Sequence, residues 1–339
     1  MRSPALLIAC VATLAAAPTA ARAKPLLLVS AEASGEVVLV DPTTAQLVER
    51  VKVGARPRGL KLTRDGKRLL VALAGPPKAP ARAGAPAAPG GGLAVVDVAG
   101  RKVTKQIATP GGPFAVDVLA DGKTAYVSSS DTNEVLVIDV GAGTVKKKTN
   151  VGAEPQGVTV HPAGKVVYVA THGADEVAAI DTKTMSLLGR IDAGSHPQMV
   201  LFAPNGQTAV VVDEGLPTVT TLDVKKSTFK EQFAIPGLPK TTPPLSLQSA
   251  VLSPDGKTLY VTTGAGRSVL IVEPAKKTVV GTIEGVGAFP RGIAISRDGK
   301  KLYTANGPSN DVAIIDIASK KVESRVPVTG APWAVVLQP

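Results

Sequence analysis

Short apolar segments that end in an acidic residue recur along the whole chain. Each places four mostly apolar residues before its acid, and successive copies are spaced by about 42 residues, with one gap of 56 and one of 50. Runs of this length between turn residues predict buried β-strands, and no sustained helical period is present. The acids are Asp41, Asp97, Asp139, Asp181, Asp223, Glu273 and Asp316.

A two-residue turn that ends in glycine recurs with nearly the same spacing. Glycine supplies the positive φ of a type I′ turn, so each copy predicts a hairpin of two antiparallel strands. A repeat of about 42 residues with four strands is typical of one blade of a β-propeller. The six turns are Asp65-Gly66, Asp121-Gly122, Ala163-Gly164, Asn205-Gly206, Asp255-Gly256 and Asp298-Gly299.

The number of repeats predicts a closed ring of seven blades. The N-terminal copy begins at its second strand, Pro25 to Ser30, so its innermost strand is missing at that end of the chain. The last segment, Pro332 to Pro339, has the sequence of an innermost strand and no blade of its own. We therefore expect an all-β, seven-bladed β-propeller with four-stranded antiparallel blades over residues 24–339, a single domain closed by the C-terminal strand.

The first 23 residues have the pattern of a removed signal peptide. Arg2 precedes an apolar run from Ala5 to Ala17, and Ala21-Arg22-Ala23 forms a small-residue cleavage signal. The run is too short to span a bilayer, which takes about 20 residues. We expect a periplasmic or secreted protein. Cys10 lies before the apolar region is complete, which argues against a lipid anchor at this residue.

Composition and net charge favour some functions and exclude others. The chain carries a formal net charge of +11, and many of its Lys and Arg residues lie in outer fourth strands such as 101–107, where charge protects blade edges. The charge favours acidic partners, and nucleic-acid or polyanion binding stays an alternative. With one Trp, four Tyr and five Phe, stacking on bases has little support. A single Cys excludes a disulfide framework, and we expect no metal site and no cofactor.

One side chain from each innermost strand should stand at the mouth of the central channel. Six of them lie seven positions before a predicted turn, and Trp333 is the equivalent residue of the last copy; the two long insertions, residues 76–91 and 236–246, open on the same face. Arginine can bind a carboxylate through two hydrogen bonds, and aromatic rings offer flat faces. The ring therefore predicts a site for a small anionic ligand or a partner protein. Its members are Arg58, Phe114, Gln156, Gln198, Gln248, Arg291 and Trp333.

Histidines and paired acids give weaker candidates. His172 and His196 lie in successive connections of one blade on the channel-mouth face, which makes them secondary ligand contacts, but their spacing is not that of a metal site. Asp213 and Glu214 are adjacent carboxylates. Because neighbouring residues of a strand point to opposite faces, they do not predict a shared acid–base site.

The repeats resemble a known family. The segments RPRGLKLTRDGKRLLVAL (56–73), EPQGVTVHPAGKVVYVATHGADEVAAIDTKT (154–184) and FPRGIAISRDGKKLYTANGPSNDVAIIDIAS (289–319) resemble the YVTN-type β-propeller repeat, and the likeness covers essentially all of 25–339. The run LYTANGPSNDVAIIDIASKKV and the FAIPGLP insertion are similar to a subgroup that accompanies pyrroloquinoline-quinone-dependent alcohol oxidation in bacteria. The resemblance implies a periplasmic companion of redox or surface systems.

We expect an exported, non-enzymatic propeller that binds a partner protein or a small anionic ligand on its insertion-bearing face. The alternative is a cofactor-carrying or lactonase-like enzyme, since seven-bladed relatives include lactonases and the d1-haem domain of nitrite reductases. A lactonase needs an acid or base beside an arginine, and a d1-haem domain needs an axial histidine. The predicted ring holds neither an acid nor a histidine, which counts against both.

Overall fold

The computed structural model describes residues 25–77, 91–235 and 245–338, and within them the chain is almost entirely β-structure. These described residues form 28 strands and three 3₁₀ turns of three residues each. The predicted signal peptide with Cys10, and most of both insertions, lie outside the described residues. No helix in the described ranges is long and apolar enough to cross a membrane.

The strands form seven separate four-stranded sheets. Blade 1 consists of β28 (Pro332–Leu337), β1 (Leu27–Ala31), β2 (Glu36–Asp41) and β3 (Gln46–Lys52); blade 2 of β4 (Pro57–Leu62), β5 (Arg68–Leu73), β6 (Gly92–Asp97) and β7 (Lys102–Ala108); blade 3 of β8 (Pro113–Val118), β9 (Thr124–Ser129), β10 (Glu134–Asp139) and β11 (Thr144–Asn150).

The remaining four blades repeat this order. Blade 4 consists of β12 (Pro155–Val160), β13 (Val166–Thr171), β14 (Glu176–Asp181) and β15 (Leu187–Asp192); blade 5 of β16 (Pro197–Phe202), β17 (Thr208–Asp213), β18 (Thr218–Asp223) and β19 (Thr228–Ala234); blade 6 of β20 (Ser249–Leu252), β21 (Leu259–Thr262), β22 (Val269–Glu273) and β23 (Thr278–Ile283); blade 7 of β24 (Pro290–Ile295), β25 (Lys301–Asn306), β26 (Asp311–Asp316) and β27 (Lys321–Pro327).

The C-terminal strand closes the ring as the sequence predicts. Strand β28 pairs antiparallel with β1, with Leu337 opposite Leu27 and Val335 opposite Val29. The two ends of the chain therefore share one sheet, in the order β28-β1-β2-β3. The predicted fold class, an all-β propeller of seven four-stranded antiparallel blades, is confirmed.

The apolar core lies between blades rather than inside any one of them. Each interface between neighbouring blades encloses one cluster of buried side chains, and seven such clusters occur in the described residues. Tyr126 in blade 3 and Tyr168 in blade 4 are among the largest fully buried side chains. Because both faces of the middle strands are covered, their sequences are nearly continuous apolar runs.

The glycine turns differ in one respect from the predicted type I′ geometry. Gly66 has a φ of 67°, and the other five turn glycines are also left-handed, but the residues before them are not. The amide of Gly66 donates to the carbonyl of Thr63 at 2.8 Å, as at the end of a type I turn. The predicted turn type is therefore wrong, while the hairpins and the need for glycine stand.

The second, third and fifth residues of most innermost strands border the cavity in the channel. In β4 and β16, for example, the first and fourth residues are buried in the blade interfaces, and the others are only partly buried. The chain enters each innermost strand at the channel mouth, so the second residue is the one nearest the mouth. The second strand of each blade runs antiparallel to the first and therefore ends at the same mouth.

Candidate functional site

The structure places all seven predicted ring residues at one position of the fold. Six are the second residues of innermost strands, and Gln248 directly precedes β20. Ring contacts join Arg291, Trp333, Arg58 and Phe114, which come from four consecutive blades. Gln198 and Gln248 are joined through a shared acid, whereas Gln156 makes no side-chain hydrogen bond to another ring member in the described ranges.

Cation–π contacts hold one half of the mouth together. The guanidinium carbon of Arg291 lies 4.0 Å from the ring centre of Trp333, and that of Arg58 lies 4.5 Å from it. Arg58 also lies 5.4 Å from the ring of Phe114, and Phe289 supports Arg291 at 4.8 Å. Such contacts contribute about 0.5–2 kcal/mol each, depending on exposure. This half of the mouth is therefore positively charged and rigid.

Two acids and a histidine stand at the mouth beside the predicted ring; of these, the histidine was predicted as a secondary contact and neither acid was assigned to the site. Glu32, His172 and Glu214 each directly follow the second strand of a blade. In blades 4 and 5, His172 and Glu214 lie 16 residues after the ring residue of the same blade. Because that strand ends at the mouth, these side chains reach the ring. The seven ring residues include no acid and no histidine, but the mouth that they surround contains both. The signal was the position after the second strand, read across all blades.

Glu32 neutralises part of the cationic half. Its Oε1 accepts hydrogen bonds from Nε of Arg58 at 2.9 Å and from Nε of Arg56 at 3.1 Å. These side chains are only 17–30% exposed, so the bonds are partly shielded from water. Arg58 is therefore already committed to a carboxylate of the protein.

Arg291 has no such partner within residues 25–77, 91–235 and 245–338. No oxygen of the described residues accepts a hydrogen bond from its guanidinium, which is held only by the rings of Trp333 and Phe289. Burial lowers its pKa from the ordinary value, and the nearby negative charges of Glu32 and Glu214 partly oppose this. A fixed guanidinium with free donors is suited to bind a carboxylate or an oxyanion.

Glu214 organises the other half of the mouth. Its Oε1 accepts a hydrogen bond from Nε2 of Gln248 at 3.0 Å, and its Oε2 accepts a longer one from Nε2 of Gln198 at 3.4 Å. His172 Nε2 lies 3.2 Å from the same Oε2. The Oε1 atoms of Gln156 and Gln198 are buried without a partner in the described residues. The carboxylate is thus fixed at the mouth by three side chains from different blades.

Glu214 and His172 shift each other's pKa in the directions expected of an ion pair. The hydrogen bond from His172 lowers the pKa of Glu214, although burial opposes it. The same bond raises the pKa of His172 above its ordinary 6.5. His196 packs edge-on against His172, with ring centres 4.8 Å apart. The structure therefore brings both predicted histidines together beside the acid.

Asp213, the neighbour of Glu214, points away from the mouth into blade 5. Its side chain is fully buried and accepts hydrogen bonds from Thr218 at 2.7 Å, Thr220 at 3.2 Å and Gln232 at 3.4 Å. Burial raises its pKa to about 7, more than these bonds lower it. The expectation that Asp213 and Glu214 do not share one site agrees with these positions.

A cavity of about 330 Å³ occupies the channel behind the mouth. Phe114, Gln198, Gln248, Arg291 and Trp333 line its entrance, and the third to fifth residues of the innermost strands form its wall. This volume is within the range of small-molecule sites. Across 25–77, 91–235 and 245–338, no three His, Cys, Asp or Glu side chains are arranged to hold a metal ion.

Two family models match different parts of the chain. The family model "Lactonase, 7-bladed beta-propeller" matches residues 185–328, and the model "Choice-of-anchor I domain" matches residues 8–187. No curated protein matches the chain. The seven-bladed class is shown by these findings together with the sheet topology.

Solved structures share the fold at low sequence identity. Hydrazine synthase of Kuenenia stuttgartiensis is 23% identical with a TM-score of 0.70, over 82% of this chain and 88% of that one. A Bacteroides uniformis protein assigned as a 6-phosphogluconolactonase is 17% identical with a TM-score of 0.74, over 93% and 99%. A Bacteroides fragilis protein with the same assignment is 18% identical with a TM-score of 0.73, over 94% and 99%.

These findings correct the expected function. The lactonase model match, together with neighbours assigned as 6-phosphogluconolactonases, favours the lactonase-like alternative over the non-enzymatic scaffold, which was wrong. The argument against an enzyme rested on a ring without an acid, and Glu214 and Glu32 remove it. The choice-of-anchor I domain model matches more than half of the chain, so the chain belongs to the choice-of-anchor I domain family.

Proposed function

We propose that the chain is a lactonase-like propeller enzyme that hydrolyses a lactone at the channel mouth. One observation carries the proposal: the carboxylate of Glu214 is fixed beside His172 in the same mouth as Arg291, whose guanidinium has no acceptor among the described residues, at the entrance of a cavity of about 330 Å³. A base and an oxyanion-binding cation around a small-molecule cavity are what ester hydrolysis by water requires.

In the proposed reaction Glu214 acts as general base on a water molecule. The water oxygen bonds to the lactone carbonyl carbon while its proton moves to the carboxylate of Glu214. The negative charge that develops on the carbonyl oxygen is stabilised by Arg291, whose guanidinium donates to no acceptor of the described residues. The ring C–O bond then breaks, the leaving alkoxide takes the proton from Glu214, and the product is a hydroxy acid whose carboxylate Arg291 can bind.

His172 is a positioning residue in this scheme. Its Nε2 bond to Glu214 fixes the carboxylate, and its positive charge keeps that carboxylate ionised. Gln248 and Gln198 fix the same group from the neighbouring strands. Preorganisation of this kind avoids the cost of reorienting the base when substrate binds.

Substitution of Glu214 tests the proposal. Release of acid from δ-valerolactone, δ-decalactone and glucono-δ-lactone is followed in a pH-stat with wild type and Glu214→Gln. We expect kcat to fall by about 10²–10⁴ for whichever lactone is hydrolysed, the usual contribution of a general base. Glu32→Gln is the matched control, since Glu32 occupies the equivalent position in blade 1 but is bound to Arg56 and Arg58.

Two results would contradict this function. One is wild-type protein that hydrolyses none of the three lactones; the other is a Glu214→Gln variant that keeps wild-type kcat while its circular dichroism is unchanged.

We also propose that the enzyme is exported, on the signal-peptide pattern of residues 1–23. The finer likeness to YVTN-type repeats and to companions of quinone-dependent alcohol oxidation stays a prediction. A protein partner at the insertion-bearing face likewise stays a prediction, compatible with a hydrolase whose mouth opens on that face.

A further inference from the structure

The channel behind the mouth has an apolar wall. Its middle belt is formed by the third residues of the innermost strands, which are small or apolar and carry no charge. Leu201 and Val336, the fifth residues of β16 and β28, are partly buried apolar residues that line the cavity alongside them. The belt consists of Gly59, Ala115, Gly157, Met199, Ser249, Gly292 and Ala334.

The polar side chains that line the cavity below the ring have partners within the protein. Lys61 and Asp117 form an ion pair at 2.9 Å, and the carboxylate of Asp117 also accepts the backbone amides of Val118 and Val160. Thr159 donates to the carbonyl of Val200 at 2.6 Å. These groups therefore do not require a polar ligand at this depth.

Polar groups without a hydrogen-bond partner among the described residues are found at the opposite end of the cavity, in the ring. The guanidinium of Arg291 has no acceptor among the described residues, and Oε1 of Gln198 has no donor. Both residues line the entrance of the cavity. A ligand that matches this arrangement has a polar or anionic head at the ring and an apolar part below it.

We propose that the substrate is a lactone with a hydrocarbon side chain, whose ring is held at the mouth and whose chain enters the channel. This inference rests on the proposed lactone hydrolysis and names its substrate class. A polyhydroxylated sugar lactone would place hydroxyl groups against the apolar belt, where they would lose their hydrogen bonds to water.

The cavity has the size for such a chain. Its volume of about 330 Å³ is roughly twice that of an apolar protein cavity that binds benzene, about 150 Å³. Burial of each methylene group should raise affinity by about fourfold, from the usual transfer free energy of this group. We therefore expect affinity to depend most strongly on the length of the ligand's hydrocarbon chain.

Binding can be measured without turnover, because Trp333 is the single tryptophan of the chain and stands in the ring. Its fluorescence is titrated with decanoate, hexanoate and gluconate. Decanoate is expected to bind on the order of a hundredfold more tightly than hexanoate, from four additional methylenes, and gluconate should bind more weakly than both. Equal affinities for the two alkyl carboxylates would overturn the inference.

A blocked channel tests where the chain lies. Ala115→Leu adds three carbons to the belt and should weaken decanoate at least tenfold while hexanoate changes less; Ala334→Leu is a second variant should the first not fold. Ala142→Leu, in an exposed turn, is the control with the same change of side chain. If Ala115→Leu and Ala334→Leu, both folded, bind decanoate as wild type does, the chain does not enter the channel.

Hydrolysis separates this inference from the proposed function. We expect kcat/KM to be at least tenfold higher for δ-decalactone than for δ-valerolactone, with glucono-δ-lactone the poorest substrate. Hydrolysis without dependence on the alkyl chain, or with preference for glucono-δ-lactone, would overturn the substrate class and leave the lactonase proposal standing. If no lactone is hydrolysed, the proposed function fails, and with it the identification of the ligand as a lactone.

Discussion

The buried carboxyl of Asp213 makes the stability of the protein depend on pH in an unusual direction. The side chain is fully buried, no cation contacts it in the described residues, and its Oδ1 has no hydrogen-bond partner. Oδ2 accepts from Thr218, Thr220 and Gln232, and the charge of Asp175 acts against ionisation. Burial is the dominant effect and raises the pKa from 3.8 to about 7.

The sign of the effect follows from linkage. A group whose pKa is raised by folding binds more protons in the folded than in the unfolded chain, so its contribution to stability is complete below the unfolded pKa, 3.8, and is lost as pH rises towards about 7. At about 1.4 kcal/mol for each pKa unit, the loss between pH 4 and pH 8 is about 4 kcal/mol. Asp213→Asn removes this penalty because its side chain stays neutral.

The assay is urea unfolding of wild type and Asp213→Asn at pH 4, 6 and 8, followed by circular dichroism. The free energy of unfolding of the variant relative to wild type should rise by about 4 kcal/mol over this range, and comparison of the two proteins cancels the other titrating groups. Asp192→Asn, which removes an exposed carboxylate from β15, controls for the loss of one charge. A difference that stays constant from pH 4 to pH 8 would refute the argument.

Three further predictions concern packing, ring closure and the pH dependence of activity. Gly59→Ala places a Cβ 2.7 Å from the backbone of β8 and should cost about 1–3 kcal/mol in chemical denaturation, whereas Gly189→Ala meets no atom within 4 Å and should be neutral or slightly stabilising. Removal of residues 332–339 takes β28 from blade 1 and should lower Tm by on the order of 10 °C or more; an unchanged Tm would contradict closure by this strand. Lactone hydrolysis should decline on the acid side only below pH 4.5, because Glu214 must be ionised and its pKa is lowered, and on the alkaline side only above pH 6.5, because the pKa of His172 is raised; a decline in activity between pH 4.5 and 6.5 would contradict their roles.

The fold could be predicted because the same strand and turn patterns recur from blade to blade. An irregular copy, such as Ala163-Gly164 in place of Asp-Gly, is recognised from its neighbours, and the C-terminal segment is identified as β28 because blade 1 lacks an innermost strand. The turn type was not predictable in the same way. Glycine is required in both type I′ and the observed geometry, so its presence does not distinguish them.

The candidate site could be predicted only in part, because its main residues were predicted from a single position of the innermost strand. The seven ring residues follow from the periodicity of the innermost strand, and Arg58, Phe114, Arg291 and Trp333 do contact one another. Glu214 lies 16 residues after Gln198, and only the antiparallel return of the second strand brings the two together. How close two residues 16 positions apart come to each other depends on the folded structure of the blade.

The repeat explains why the guanidinium of Arg291 has no acceptor among the described residues. The residue that ends the second strand of one blade reaches the ring residue of the next: Glu32 of blade 1 binds Arg58 of blade 2, and Glu214 of blade 5 binds Gln248 of blade 6.

The corresponding position of blade 6, next to Arg291 of blade 7, is Gly264. A Cβ added there would lie 3.2 Å from Gln248 and 3.3 Å from the ring of Phe289. Glycine thus lets Phe289 pack beneath the guanidinium and also withholds the carboxylate that an acid at this position would offer it. The same absent side chain supports the rigid placement of Arg291 and leaves its charge available to a ligand.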